Sequence, residues 1–289
     1  MKPAPFAYVR PETLEEALEL LAQHGDDARI LAGGQSLIPM MNFRLAQPEI
    51  LIDINRIPEL RGITLSEGGV SIRATTRYAD IERESALATS APLIHRAMPL
   101  VAHPTIRNRG TIGGSLANAD PSAELPACTM CAGATVVLAS AGRGKRLVPA
   151  ADFFKGTYET AAKPDELLFE IHMPVAKPEE RFAIMEIAPR HGDFALAGLA
   201  ARASVADGQL RDVALVFFSV CDKPVAAMAA QACLEGTTAG DRHAVDEAAH
   251  LLSLDIEFRE DHQLGALHRQ RLAGTLLRRV AAKLSEPEA

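Results

Sequence analysis

Two pairs of consecutive glycines, each in a turn after a predicted buried strand, constrain this chain most. The first loop is Ala32-Gly33-Gly34-Gln35-Ser36, and the second loop is Thr111-Ile112-Gly113-Gly114-Ser115. Because glycine has no side chain, the backbone amides of such a turn can converge on an anion. The closing serine adds a hydroxyl donor. Two such loops facing each other would hold the two phosphates of a diphosphate.

Either loop alone is a weak signal, because a Gly-Gly pair after a strand is more often a plain turn. Neither loop has the G-x-G-x-x-G spacing or the Walker A pattern. A Rossmann or P-loop nucleotide site is therefore disfavoured.

The segments around the loops predict a mixed α/β arrangement. The pattern Thr13-Leu-Glu-Glu16 is a capping box, and with Gly25 it predicts a helix over residues 13–24. Hydrophobic periodicity predicts strands over 6–10, 28–32, 50–54, 62–66, 70–74, 134–139 and 145–148, and helices over 77–84 and 91–102. Residues 103–126 are dense in Gly, Asn, Asp and Pro.

The polar segment 174–180 carries two prolines and marks a predicted domain boundary. After it, three strands are predicted over 181–187, 195–205 and 210–220, followed by helices over 224–234, 242–253 and 266–283. Strands followed by helices are typical of an α+β domain with an antiparallel sheet, here of three strands.

Composition and charge exclude some classes of protein. The net charge is −7 and the chain has no basic run, so nucleic acid is not an expected partner. The N-terminus lacks the apolar core of a signal peptide, and no apolar run is long enough to span a bilayer. We therefore expect a cytoplasmic protein.

The chain has four cysteines, of which Cys128 and Cys131 form a C-x-x-C motif. Such a motif can begin a metal or iron–sulfur site. The other pair is spaced C-x11-C, and the motif lies in an apolar stretch, so packing in the core is the favoured interpretation. No Ser/His/Asp set, carboxylate pair or zinc spacing offers a candidate for acid–base catalysis, so we predict no catalytic residue and no metal ligand.

Three ordered segments carry a family resemblance that spans nearly the whole chain. They are LAGGQSLIPMMNFRLAQPEILIDI (31–54), HPTIRNRGTIGGSLANADPSAELPA (103–127) and EIAPRHGDFALAGLAA (186–201). They resemble the FAD-binding (medium) subunits of the xanthine dehydrogenase and carbon monoxide dehydrogenase family of molybdenum hydroxylases. The resemblance implies an α+β chain with a two-lobed FAD-binding domain of the vanillyl-alcohol oxidase (PCMH) type over 1–176. A small flavoprotein C-terminal domain would then occupy 177–289.

The resemblance also implies which residues bind the cofactor. The two loops would hold the pyrophosphate and ribityl chain through Ala32, Gly33, Gly34, Gln35, Ser36, Thr111, Ile112, Gly113, Gly114 and Ser115. Polar positions of the second segment are Asn118, Asp120 and Glu124, and Glu124 would reach ribityl or ribose hydroxyls. Arg29 would lie along the phosphate side, and Leu168 would supply a backbone contact near the adenine or ring system.

Three further positions have two interpretations each. Phe194 would shield one face of the isoalloxazine ring or, alternatively, pack in a strand core. Arg107 and Arg109 could add positive charge near the phosphates, although a solvated loop arginine is commoner.

Gln35 stands where related oxidases of this fold place a histidine that bonds covalently to the flavin. Glutamine cannot form that bond, so non-covalent FAD is expected. His95 and His103 remain conceivable attachment points, but an exposed or capping histidine is the simpler interpretation.

By this resemblance, the chain would relay electrons through FAD to an external acceptor. The electrons would come from [2Fe–2S] clusters in a small partner subunit, and a large molybdopterin subunit would hydroxylate the substrate. Two alternatives stay open: a self-sufficient flavin oxidoreductase of the same fold, and a non-enzymatic nucleotide-binding module. The sequence identifies neither the substrate nor the acceptor, because the substrate pocket would lie in another polypeptide.

Overall fold

The structure, a computed structural model, describes residues 2–286. In the first lobe (residues 2–57) a parallel sheet has the order β1-β3-β2. Its elements are β1 (Ala7–Val9), α1 (Leu14–His24), β2 (Ala28–Leu31), α2 (Leu37–Asn42) and β3 (Ile50–Asp53). The predicted N-cap is confirmed, since Thr13 Oγ1 accepts from the Glu16 amide at 3.2 Å. Helix α1 ends at Gly25, whose φ of 49° favours glycine.

The second lobe (residues 58–176) is built on an antiparallel sheet with the order β4-β5-β10-β6-β7. Its strands are β4 (Ile63–Ser66), β5 (Gly69–Arg73), β6 (Thr135–Ser140), β7 (Gly144–Pro149), the short pair β8 (Phe154–Gly156) and β9 (Glu159–Thr160), and β10 (Leu167–Met173). Its helices are α3 (Tyr78–Arg83), α4 (Leu87–Ser90), α5 (Pro92–Ala97), α6 (Pro104–Arg107), α7 (Ile112–Asn118), α8 (Glu124–Cys131) and α9 (Ala150–Phe153).

The central strand β10 was not predicted from the sequence, although it joins both halves of this sheet. Its side chains alternate between two cores. Leu168 and Ile171 pack with the second lobe, whereas Leu167 and Phe169 pack beneath α1 of the first lobe. Both faces of the sheet are therefore buried at β10, and the first lobe is fixed on one of them.

The C-terminal region (residues 177–286) begins with a sheet in the order β11-β12-β13-β14. Its elements are β11 (Glu180–Ile187), β12 (Ala197–Ala206), β13 (Gln209–Phe218), β14 (Val225–Ala226), α10 (Met228–Leu234), α11 (Arg242–Asp255) and α12 (Ala266–Ser285). The three predicted antiparallel strands are present, and the structure adds the two-residue strand β14 at the edge beside β13. One face of the sheet is covered by α10, α11 and α12, and the other packs against the second lobe.

One expectation for the segment before residue 132 needs correction, and another stretch is more helical than its composition suggests. Residues 103–126, which are dense in Gly, Asn, Asp and Pro, contain α6, α7 and the start of α8. Their low helix propensity is overridden by burial of Ile112, Leu116 and Leu125 in the core. The helix predicted over 91–102 is shorter, ending at Ala97.

The expectation for the C-x-x-C motif is confirmed. Cys128 and Cys131 are free thiols on α8, both buried in the core shared with the C-terminal sheet. Burial raises the pKa of Cys131 to about 12 and that of Cys128 well above its ordinary value. Within residues 2–286, His, Cys, Asp and Glu side chains form no group of three that could hold a metal ion. Over the same residues, no helix combines the length and apolar character needed to cross a bilayer.

Arg269 on α12 is 1% exposed and ties the C-terminal region together. Its guanidinium donates to the carbonyls of Leu196, Ser219 and Arg259 and pairs with Asp261 Oδ2 at 2.8 Å. Leu196 precedes β12, and Ser219 follows β13 and donates its amide to the Pro121 carbonyl of the second lobe at 2.7 Å. Arg269 therefore fixes the ends of two central strands beside the second lobe.

Arg269→Met is expected to lower the free energy of unfolding by about 3–5 kcal/mol, because it leaves buried carbonyls and Asp261 without their donor. Chemical denaturation measures the change. Arg278→Met on the same helix is the control, because its pair with Asp246 is half exposed and should cost about 1 kcal/mol or less. Equal effects of the two substitutions would contradict the role of Arg269.

Candidate functional site

The first loop connects β2 to α2 and presents a row of backbone donors. Within the described residues, the amides of Gly33, Gly34, Gln35 and Ser36 donate to no protein acceptor. Gly34 has a φ of +72°, a conformation that side chains disfavour. The Gln35 side chain folds back, and its Nε2 donates to the Gly33 carbonyl at 3.1 Å. Four successive amides of this turn are therefore available to an acceptor from outside the described chain, which is what an anion-binding turn requires.

The second loop differs from the prediction, because its amides are already used. The Ile112 amide donates to the Thr76 carbonyl and the Gly113 amide to the Ala74 carbonyl, at 3.2 and 3.0 Å. The Gly114 amide donates to Thr111 Oγ1 at 3.1 Å. The chain continues from Thr111 directly into α7, so these amides serve the helix cap and the neighbouring strand end. The expectation of a second set of free amides was wrong.

The two loops nevertheless lie in contact, as predicted. A Cβ atom on Gly33 would lie 2.6 Å from the Arg109 carbonyl oxygen and 2.9 Å from Gly110 Cα. A Cβ on Gly114 would lie 3.9 Å from the Ala32 Cβ. A Cβ on Gly113 would lie 2.5 Å from the Ala74 Cβ. These glycines therefore allow two backbones to pack closely, in addition to any role in binding.

A cavity of about 500 Å³ opens beside the first loop. Besides loop residues, it is lined by Leu31, Ile38, Pro39, Asp53, Asn55 and Arg109. Sequence reasoning missed Asp53 and Asn55. A signal was present, because Asp53 ends β3 and Asn55 follows it, and β3 is the parallel neighbour of β2. Ligands of parallel sheets bind beyond the carboxyl ends of the strands.

The three arginines that the sequence predicted near the phosphates have three different environments in the structure. Arg29 is exposed near the start of β2, where its guanidinium donates to the carbonyls of Asp26 and Ala28, and it does not line the cavity. Arg107 is buried and pairs with Glu82 at 3.0 Å, so it is not a solvated loop residue. Arg109 is exposed and lines the cavity, and its backbone carbonyl lies against Gly33 of the first loop.

The polar residues after α7 lie where the second lobe meets the C-terminal region. Asn118 ends α7, and Asp120 Oδ1 accepts from the Ser122 amide at 2.9 Å. Ser122 in turn lies 3.1 Å from Ser219 Oγ, beyond β13. Glu124 begins α8 and is partly buried. Asp120 and Ser122 are therefore held at a junction between the second lobe and the C-terminal region.

Two carboxyl groups at this junction have raised pKa values. Burial, together with the charges of Glu186 and Asp120, raises the pKa of Glu124 to about 8. Burial raises the pKa of Glu186 on β11 to about 7, and its Oε2 has no hydrogen-bond partner in the described chain. Burial also raises the pKa of Tyr78, although the neighbouring Ser115 side chain lowers it. At neutral pH, Glu124 therefore holds a proton and can donate a hydrogen bond.

Leu168 and Phe194 occupy different environments. Leu168 is buried in β10, at a point where the pairing register with β6 shifts. Phe194 is 71% exposed, which makes the strand-core interpretation wrong. The turn before it approaches the second lobe, since a Cβ on Gly192 would lie 2.7 Å from the Ala102 carbonyl oxygen. The aromatic ring is thus presented to solvent by a turn that abuts the second lobe.

Comparisons with known proteins agree with this architecture. Residues 4–176 match the FAD binding domain in molybdopterin dehydrogenase, and residues 182–284 match the CO dehydrogenase flavoprotein C-terminal domain. The chain belongs to the FAD-binding subunits of the molybdenum hydroxylase family. Its fold accordingly combines a FAD-binding domain with the C-terminal domain of that family, and it is an oxidoreductase component.

Individual relatives match over almost their full length. Caffeine dehydrogenase subunit beta from Pseudomonas sp. (strain CBB1) is 36% identical over 99% of this chain and 97% of its own. The carbon monoxide dehydrogenase medium chain from Afipia carboxidovorans is 37% identical over 98% of both chains. A structure of reconstituted CO dehydrogenase from Oligotropha carboxidovorans superposes with a TM-score of 0.95, at 36% identity and 100% coverage of both chains.

Glu124→Gln tests the protonation of Glu124. The pKa of Glu124 is about 8 in the folded state and about 4.3 in the unfolded state. Between about pH 4.3 and pH 8 the folded protein therefore binds one proton more than the unfolded chain, and its stability falls as the pH rises through this range. Glutamine does not titrate, so the variant should lose less stability between pH 5 and pH 8.5. Denaturant unfolding of the flavin-free chain measures this, with exposed Glu67→Gln as the control. Parallel pH profiles for Glu124→Gln and wild type would contradict the assignment.

Proposed function

We propose that this chain holds FAD non-covalently and passes electrons from [2Fe–2S] clusters of a small partner subunit to an external acceptor. A large molybdopterin subunit would carry out the hydroxylation. The observation that supports this most is the row of four unpaired amides in the first loop, beside a cavity that Arg109 lines. Unpaired amides with a cation beside them suit a diphosphate, which is the most highly charged part of FAD.

The residues present fit this cofactor. In the proposed site, residues 32–36 bind the diphosphate, with 111–115 forming the opposite wall and Ser115 adding a hydroxyl. Asn118, Asp120 and Glu124 bind hydroxyls of the ribityl chain or ribose, and the Leu168 backbone contacts the adenine or ring system. Phe194 covers one face of the isoalloxazine ring. Arg29 is not part of the proposed site, because its guanidinium donates to the carbonyls of Asp26 and Ala28 near the start of β2.

Bound FAD supplies the electron-accepting chemistry, and this chain supplies binding and orientation. The first loop fixes the phosphates, and the proton on Glu124 lets its carboxyl group donate to a hydroxyl oxygen. The side chain of Gln35 donates a hydrogen bond to the Gly33 carbonyl within the first loop, which is consistent with a non-covalent cofactor. The chain is divided, in this proposal, into a FAD-binding domain over 1–176 and a C-terminal domain over 177–289.

The partners and location are also inferred by relationship. The relatives named above include subunits of enzymes for caffeine and for carbon monoxide. Because two such different compounds are handled by complexes with closely related subunits, the substrate of this complex is determined elsewhere. We propose that the assembly works in the cytoplasm with one large and one small partner subunit type.

The visible spectrum tests the relay. The purified chain and the complete complex are exposed anaerobically to a panel of N-heterocycles and aldehydes and to carbon monoxide. The relay predicts that the flavin band bleaches only in the complex that contains the molybdenum and iron–sulfur subunits. Bleaching of the isolated, flavin-loaded chain by a small organic compound would support a self-sufficient oxidoreductase. A complex without flavin would support a nucleotide-binding module.

Gly33→Val should lower the flavin-to-iron ratio of the purified complex roughly tenfold or more, because the new side chain would collide with the Arg109 carbonyl and close the anion-binding turn. Gly142→Val is the matched control. Gly142 lies in the turn between β6 and β7. Apart from its chain neighbours, no heavy atom of the described residues lies within 4 Å of the position that an added Cβ atom would take. A fully yellow Gly33→Val complex would refute the site.

A further inference from the structure

Asn55 has no assigned role, yet its side chain is bonded to the entrance of the first loop. Its Nδ2 donates to the Ala32 carbonyl at 2.8 Å and to Asp53 Oδ1 at 2.6 Å. Asp53 is itself fixed, because its Oδ2 accepts from the Tyr8 hydroxyl at 2.6 Å. Strand β3 thus holds the end of β2 through side chains beyond the last backbone pairing.

Arg77 links this group to the second lobe. Its Nη2 donates to Asn55 Oδ1, and its Nη1 donates to the carbonyl oxygen of Arg109. That oxygen is the atom against which Gly33 packs. The backbone beside Arg77 is fixed as well, since the Tyr78 amide donates to the Gly110 carbonyl at 3.1 Å. One guanidinium therefore connects the first loop, by way of Asn55, to the turn before the second loop.

Two other arginines and two carboxylates surround Arg77, and the arginines affect its pKa more strongly than the carboxylates do. Burial lowers the pKa of Arg77, and the charges of Arg109 and Arg61 lower it further, while Asp80 and Asp53 act in the opposite direction. A half-buried guanidinium beside like charges is stabilised by an anion nearby. The diphosphate proposed for the adjacent first loop is such an anion.

We propose that Asn55 and Arg77 are positioning residues that clamp the first loop against the Arg109–Gly110 turn, so that the four amides are preset for the FAD diphosphate. This inference rests on the proposed site. The clamp needs a planar group with two donors, because Asn55 and Arg109 are engaged by different nitrogens of Arg77. A lysine would keep the charge but could not reproduce that geometry.

The test uses the assembled complex, stripped of flavin and titrated with FAD while flavin fluorescence is followed. Asn55→Ala, Arg77→Gln and Arg77→Lys should each raise the Kd for FAD roughly 10- to 100-fold. Competition by ADP should weaken in parallel, whereas competition by riboflavin, which has no diphosphate, should not change. Arg61→Gln is the control, because it removes a nearby positive charge that pairs with Asp80 on the surface.

The outcomes separate the clamp from other roles. Wild-type affinity in Arg77→Lys would mean that only charge matters and would overturn the clamp. An equal loss of ADP and riboflavin competition would show a general structural role and would also overturn it. If the complex with Arg77→Gln fails to assemble, the Kd of the Asn55→Ala complex for FAD tests the clamp instead. Flavin loss in Gly33→Val with normal binding in the clamp variants would overturn the clamp alone, whereas flavin retention in Gly33→Val would overturn the site itself.

Discussion

The backbone of Gly33 lies against the carbonyl group of Arg109, closer than any residue with a side chain could approach. This contact brings the end of a parallel strand in the first lobe to a turn in the second lobe. Among residues 2–286, no acceptor binds the amides of the first loop, and the loop lines a cavity. The proposed binding of a diphosphate depends on this arrangement, because the donors must converge before the ligand arrives.

The contact is supported from both sides by buried structure. Beneath it, β10 carries side chains into the cores of both lobes, so the lobes cannot separate without exposing apolar surface. At the other end of the site, α8 packs against β12 and β13, and the core of the second lobe continues into the C-terminal sheet. The raised pKa values of Glu124 and Glu186 follow from this packing, because their carboxyl groups are shielded from water there.

The two glycine pairs show how similar sequences acquire different roles. Gly33-Gly34 leaves its amides free because the chain turns before α2 begins. Gly113-Gly114 lies inside α7, where Thr111 caps the helix and the amides are consumed. The pattern predicted proximity correctly in both cases, since a missing side chain favours close approach. It could not predict which amides would remain unpaired, because their acceptors, such as the Ala74 carbonyl, are remote in the sequence.

Local patterns in the sequence determined the capped helix α1, most of the strands, the three antiparallel strands after residue 180 and the family to which the chain belongs. These depend on short-range periodicity, capping and ordered motifs, which a sequence displays directly. Only the tertiary structure decided that Arg107 is buried, that Arg29 points away from the cavity and that Asn55 and Arg77 meet. Such pairings join residues far apart in the chain, so their partners are set by how the lobes pack and not by neighbouring residues.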